Sequence, residues 1–322
     1  MTLKLVLQTA LLCIVFITST AAHKPKHFEW AKDFGLSTVQ RYRSPFEQAQ
    51  HHIEIERKTY NLSSEPIDVV FVCHKKDLVT LDLAIEGIKI NGKNIRRIIV
   101  ISEEKLTDNA EWFSEANFPF TKRDLAIEIF KPNKKSAYFF INAKNSRIGW
   151  IYQQLLKLYA PFTVPEISSN VLIVDADTIF LNETEFIDKN GITLFNPGTE
   201  FNAPYFAHAN RLIPGFKKIH PYYSGISHHM VFQRPILADL FSIIESAHKT
   251  VAWKAFCWCI DQKELYGSSL SEYEIYFNFV FARTSQVAIR HLQWDNMKFD
   301  RDAIALHQDG GYHYVSCHSY CT

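Results

Sequence analysis

The stretch VLIVDADTIF, Val171–Phe180, decides the reading of this chain: an apolar run leads straight into two aspartates, Asp175 and Asp177, separated by one alanine. The run is short and continuous, so it reads as a buried strand. Ligand sites in open α/β sheets lie beyond the carboxyl ends of strands, which is where the pair falls. Side chains at i and i+2 on a strand end point the same way, so both carboxylates are expected to reach one divalent cation. Hard oxygen ligands suit Mg²⁺ or Mn²⁺, and such an ion would clamp a diphosphate. The plainer alternative is a surface turn in which Asp177 merely caps the backbone.

Working outward, IDVVFVC (Ile67–Cys73) reads as a buried strand and DLVTLDLAIEGIKIN as an amphipathic helix begun near Asp77. IRRIIVIS (Ile95–Ser102) and LAIEIFK (Leu125–Lys131) are expected as further strands. The stretch RIGWIYQQLLKLYA predicts a long helix over Arg147–Ala160, just before the D-x-D strand. Strand, helix, strand at this spacing implies a parallel α/β unit. Later, ISHHMVF (Ile226–Phe232) reads as a strand and PILADLFSIIESAHK as a helix opened by Pro235. SEYEIYFNFVFAR (Ser271–Arg283) is a further helix, and VAIRHLQW and AIAL are expected as short strands.

With 322 residues, 47% hydrophobic and 21% charged, the chain can bury a large core. Lys+Arg 35 against Asp+Glu 34 leaves a net charge of +1, so no global field recruits nucleic acid or an anionic membrane. The N-terminus carries Lys4, an apolar run Leu5–Ile17 and then TSTAA, the pattern of a signal peptide over residues 1–22 with cleavage after Ala22. An uncleaved signal anchor is the alternative. Either places the body of the protein outside the cytoplasm: in the ER or Golgi lumen or secreted, or in a periplasm if the host is bacterial. Residues 23–66 are a polar lead-in and 67–322 the folded domain. Sequons at Asn61 and Asn182 fit a secretory lumen. In such a compartment, bridges joining Cys257 and Cys259 to Cys317 and Cys321 are expected, with Cys73 a buried free thiol. A four-cysteine zinc site is the weaker option.

D-x-D-x-T after an apolar strand is also the pattern of haloacid-dehalogenase phosphatases, with Asp175 as nucleophile and Asp177 as acid. That motif usually opens its domain, whereas here roughly a hundred residues of α/β pattern precede it. GWIYQQLLKLYA before VLIVDADTIFL instead resembles glycosyltransferases of the GT-A fold, distantly those related to glycogenin. SGISHHMVFQRPIL and SLSEYEIYFNFV resemble a group of uncharacterised glycosyltransferases known mainly from genome sequences. The resemblance covers about residues 67–307. It implies an α/β, Rossmann-like single domain with a mostly parallel central sheet flanked by helices, and transfer of a sugar from a nucleotide donor. It also implies Mn²⁺ or Mg²⁺ on Asp175 and Asp177 against the diphosphate, with a late histidine completing the shell. His307 is the candidate, with His313 and His318 as competitors.

By the same resemblance Lys157 would approach the phosphates or donor sugar, its plain alternative being a solvated helix lysine. Asp77 would meet the base and ribose, its alternative being a helix cap. Ser271 and Glu274 fit an S-x-x-E capping box, which leaves Glu272 as the candidate general base and Glu274 as its rival. His228 and His229 face opposite ways on a strand, so one packs and the other faces the cleft. Tyr222, Tyr223 and Trp253 are candidates to stack on sugar rings. The implied partners are a UDP- or GDP-linked sugar and a glycan, lipid or protein acceptor, with no nucleic acid and no membrane contact beyond a retained N-terminal anchor. A non-catalytic carbohydrate binder is a further alternative.

Overall fold

The computed structural model describes residues 53–318. The expected signal segment, most of the lead-in, Cys13 and Cys321 lie outside the described residues. Strand β1 (Ile67–Val72) passes through a short turn into α1 (Leu78–Asn91), which returns to β2 (Ile95–Ser102). β3 (Glu111–Ser114) is followed by three helices, α2 (Lys122–Ile129), α3 (Lys134–Asn142) and α4 (Ile148–Thr163). β4 (Asn170–Val174) carries the apolar run, and β5 (Thr178–Phe180) and β6 (Thr193–Phe195) follow the aspartates. The remainder runs α5 (Ala203–Leu212), β7 (His229–Gln233), α6 (Arg234–His248), α7 (Ala252–Trp258), α8 (Glu272–Arg283), β8 (Val287–Ile289), β9 (Trp294–Met297), α9 (Arg301–Asp309) and β10 (Tyr314–Cys317).

The central sheet has the order β3-β2-β1-β4-β7. Its first four strands are parallel and β7 runs antiparallel to β4. This is the mostly parallel sheet, covered by helices, that the sequence implies. β1 and β4 are buried along their whole length, as strands covered on both faces must be, and apart from Asp68 and Asn170 near their starts their residues are apolar without alternation. One face packs α2, α4, α6, α7 and α8 around Val70, Ile99, Val171, Ile173 and Phe232. The other packs α1 and β5 around Val69, Val100, Leu172 and Val174. A small sheet β5-β10-β9 and a two-stranded pair β6-β8 complete the described fold.

Strand order reverses between β1 and β4. After β1 the chain moves one way to β2 and β3, and β4 returns to lie on the other side of β1. A crevice opens at such a switch point, beyond the carboxyl ends of the two strands. Asp175 and Asp177 follow β4 there, and Cys73–Asp77 follow β1.

Two expected strands are helices. Residues 125–129 lie in α2, because Thr121 and Asp124 close a reciprocal capping box ahead of them. AIAL lies in α9, whose start is set by Asp300 accepting from the backbone N–H of Asp302 and Ala303. VAIRHLQW divides into β8 and β9, which join different sheets. The expected bridges from Cys257 and Cys259 do not form: both are free, buried thiols in the helix-rich core, whereas Cys317 packs in the core on the opposite sheet face. Cys73 is a buried free thiol, as expected, and burial pushes it up to about 12.

Candidate active site

β4 ends at Val174, and Asp175 to Asp177 form a turn in which Thr178 N–H donates to the Asp175 carbonyl. Strand alternation no longer governs the two carboxylates once the backbone has turned. Each grips a different wall of the crevice.

Asp175 faces the helical wall. Its Oδ1 accepts from Lys157 Nζ at 2.6 Å, and the Tyr273 hydroxyl approaches it at 3.4 Å. Lys157 also donates to Glu272 Oε1 at 2.8 Å and sits 4.5 Å from the Tyr273 ring centroid. Lys157 is 3% exposed and Glu272 1% exposed, so this is a buried cation held between two carboxylates. Burial by itself would pull the ammonium down; Asp175 and Glu272 outweigh it and hold Lys157 well above the usual lysine range. Burial raises Glu272, and Lys157 opposes that rise. Gln154, with its amide nitrogen turned toward Glu272, donates to the same carboxylate. Lys157 is therefore no solvated helix lysine, and Glu272 stands behind it rather than open to the cleft.

Asp177 faces the small sheet. Its Oδ2 pairs with His318 Nδ1 at 3.0 Å, and its Oδ1 accepts from Ser316 Oγ at 3.3 Å. Burial pushes its pKa up, but His318 and Ser316, with the nearby His228, hold it below the ordinary carboxylate value. The imidazole bonded to the D-x-D pair is therefore His318. His307 is on α9, where Nδ1 meets the Ala303 carbonyl and Nε2 meets Asp295 at 3.3 Å. Reading AIAL as a strand misplaced it. His313 Nδ1 accepts from the Gln293 backbone.

Of the histidine pair, His229 is buried among Phe180, Phe186 and Tyr314. His228 lies toward the aspartates, its ring centroid 5.2 Å from that of His318. Burial lowers its pKa, with Asp175 opposing, so the neutral imidazole is favoured. Asp77 directs its carboxylate at the His74 backbone N–H, 2.9 Å away, in the turn after β1. Ser271 caps α8 by accepting from Glu274 N–H, but the Glu274 carboxylate does not reach back. It accepts instead from Gly225 N–H and Asn278 Nδ2, both at 2.8 Å, and so ties the 219–226 loop to α8. Gly225 is required there, since a Cβ would meet the Tyr273 carbonyl at 2.5 Å. Trp253 packs in the core beside Phe120, and Tyr222 is exposed.

Two carboxylates and an imidazole are donor types that suit Mn²⁺ or Mg²⁺. Among the described residues no three His, Cys, Asp or Glu side chains converge as a ready-made cage. The donor set fits an ion whose remaining ligands come from a substrate, such as phosphate oxygens and water.

No family model matches the chain. No curated protein matches it either. Among solved structures the chain is similar to an active-site mutant of LgtC at 14% identity, with 79% of this chain and 91% of that chain covered and a TM-score of 0.36. It is similar to the mannosyltransferase Ktr4p from S. cerevisiae in complex with GDP at 13% identity, covering 79% and 78%, with a TM-score of 0.38. It is also similar to the bifunctional glycosyltransferase WbbM at 10% identity, covering 83% and 48%, with a TM-score of 0.42.

The sequence singled out Lys157, Asp175, Asp177 and Glu272, and the fold brings Lys157, Asp175 and Glu272 into contact. Tyr273, Gln154 and Ser316 were not singled out. Gln154 and Lys157 are three apart on one helix, so their shared face was readable. Ser316 had no local signal.

Proposed function

We propose that the chain is a metal-dependent glycosyltransferase that moves a sugar from a nucleotide donor to an acceptor hydroxyl. The observation that carries this reading is the position of Asp175 and Asp177 at the switch-point crevice, with a buried lysine fixed on the first of them. In this reading Asp175 and Asp177 hold the cation, with His318 in place of His307 as the nearest imidazole. The ion supplies neutralisation of the charge that develops on the leaving diphosphate.

This chain's own residues do the rest. Lys157 keeps a fixed positive charge at the floor of the crevice, and Glu272, itself bonded by Gln154, holds it in place, so no reorganisation is needed when anionic phosphates arrive. Glu272 is thus a positioning residue. Neutral His228 can accept or donate a hydrogen bond to a sugar hydroxyl. In this reading the nucleoside lies along the turn after β1, which the Asp77 carboxylate orders by accepting from the His74 N–H. Export through a secretory compartment, read from the N-terminal pattern, is part of this proposal.

A thermal-shift screen against UDP- and GDP-sugars, with and without Mn²⁺, tests it. Ligand at 100 times Kd stabilises by about 2.7 kcal/mol, and the gain should require metal and vanish in Asp177→Ala. Phosphate-ester hydrolysis with no donor-dependent shift would make Asp175 a nucleophile and the transferase reading wrong.

A further inference from the structure

α4 enters the crevice from outside. Gln153 Nε2 donates to the Val72 carbonyl at 2.8 Å, which marks the carboxyl edge of the sheet, and Lys157 follows one turn further in. Trp150 is therefore about one turn beyond the sheet edge, on the mouth of the crevice. It is half-buried, and its indole lies 6.4 Å from the Tyr205 ring of α5 with an interplanar angle of 17°. The Arg147 guanidinium lies 4.9 Å from the Trp150 ring centroid, and its Nε is buried without a hydrogen-bond partner. Ser268 and Asn202 lie near the Tyr205 hydroxyl, with Asn202 Nδ2 donating to the Ser268 carbonyl at 3.5 Å, and Glu272 and Arg147 are close enough to act on it electrostatically. Phe201, 64% exposed just before α5, stacks on Phe206 at 5.3 Å and 13°, a second aromatic pair separate from the first.

A stacked Trp150 and Tyr205 pair, half open to water and bordered by polar side chains, is not core filling. Aromatic faces pack against the C–H face of a pyranose while its hydroxyls stay hydrated or bonded to nearby polar groups. Asp177 and His318 occupy the opposite wall, so the proposed metal and diphosphate lie on one side and this surface on the other. We propose that Arg147, Trp150 and Tyr205 form an acceptor subsite that binds a pyranose ring. The acceptor class is then a glycan rather than a lipid or a bare peptide. The assignment of the subsite to the acceptor rests on the transferase reading; the sugar-binding surface itself does not.

The test is saturation-transfer NMR on the full chain with methyl glucoside, methyl galactoside and methyl mannoside, and with a disaccharide of each. At least one probe should bind, and Trp150→Ala and Tyr205→Ala should each weaken it by about tenfold or more. Arg147→Met leaves both rings in place and serves if either alanine variant fails to fold; it should weaken binding as well. Ile90→Ala, exposed on α1 over the other face of the sheet, should leave binding unchanged. Transfer to the bound sugar should fall in Trp150→Ala in step with the loss of sugar binding, as a rise in acceptor KM larger than the fall in kcat. The proposal is overturned if no probe binds the wild type, if the variants bind as tightly as the wild type, or if an acyl chain competes the sugar away. Sugar binding without any donor binding would keep the subsite and sink the transferase reading instead.

Discussion

At the scale of single residues, the second acidic side chain of α8 shows how burial decides a role. Glu272 and Glu274 lie two apart in the first turn, yet one holds a lysine and the other a loop. Glu274 is 1% exposed, and burial pushes its pKa up to about 7 against the two N–H donors that favour the charged form. A carboxylate raised in the folded state binds its proton more tightly there than in the unfolded chain. Its contribution is fully present below about pH 4.5 and is lost as pH rises through about 7. Wild type should therefore lose on the order of 3 kcal/mol relative to Glu274→Gln between those limits. Urea denaturation of both proteins across that range measures it, and parallel curves would show that Glu274 is not buried as described.

At the scale of elements, close approach sets the tolerance of each helix. Gly87 in α1 lies against β5, where a Cβ would meet the Phe180 carbonyl at 2.6 Å and its nitrogen at 3.0 Å. Gly149 in α4 has nothing within 4 Å of that position. Replacing a helical glycine by alanine normally gains up to about 1 kcal/mol, and overpacking costs roughly 1–3 kcal/mol. Gly149→Ala should therefore be neutral or stabilising and Gly87→Ala destabilising, as denaturation midpoints would show. The reverse order would place α1 away from β5. Capping explains the two mistaken strands at this same scale. The apolar runs in α2 and α9 were legible, but period alone does not separate a short helix from a short strand. Thr121 and Asp300, outside those runs, decide it.

At the scale of the whole molecule, the sheet separates cysteines that the chain seemed to offer to one another. Cys257 and Cys259 are buried on the helix-rich face, and burial raises both thiols. A thiol that cannot form its anion does not react. Neither should react with a disulfide reagent until the chain unfolds, and a non-reduced digest should contain no bridge from either. A bridge to Cys321 would overturn this packing. The segment preceding β1 is also fixed by long-range pairing, with the Tyr60 hydroxyl and Arg283 both bonded to Asp239.

The sequence by itself determined the strands β1, β2 and β4, the helices α1, α4, α6 and α8, and the pairing of D-x-D with a strand end. Each rests on local periodicity or a cap, which neighbouring residues specify. Only the tertiary structure decided that Asp175 belongs with Lys157 and Glu272, 115 residues apart in the case of the latter two. It also decided that His318 rather than His307 stands beside Asp177, and that Trp150 and Tyr205 share a wall. Those outcomes depend on how sheet order folds distant segments over one crevice, and no local pattern carries that information.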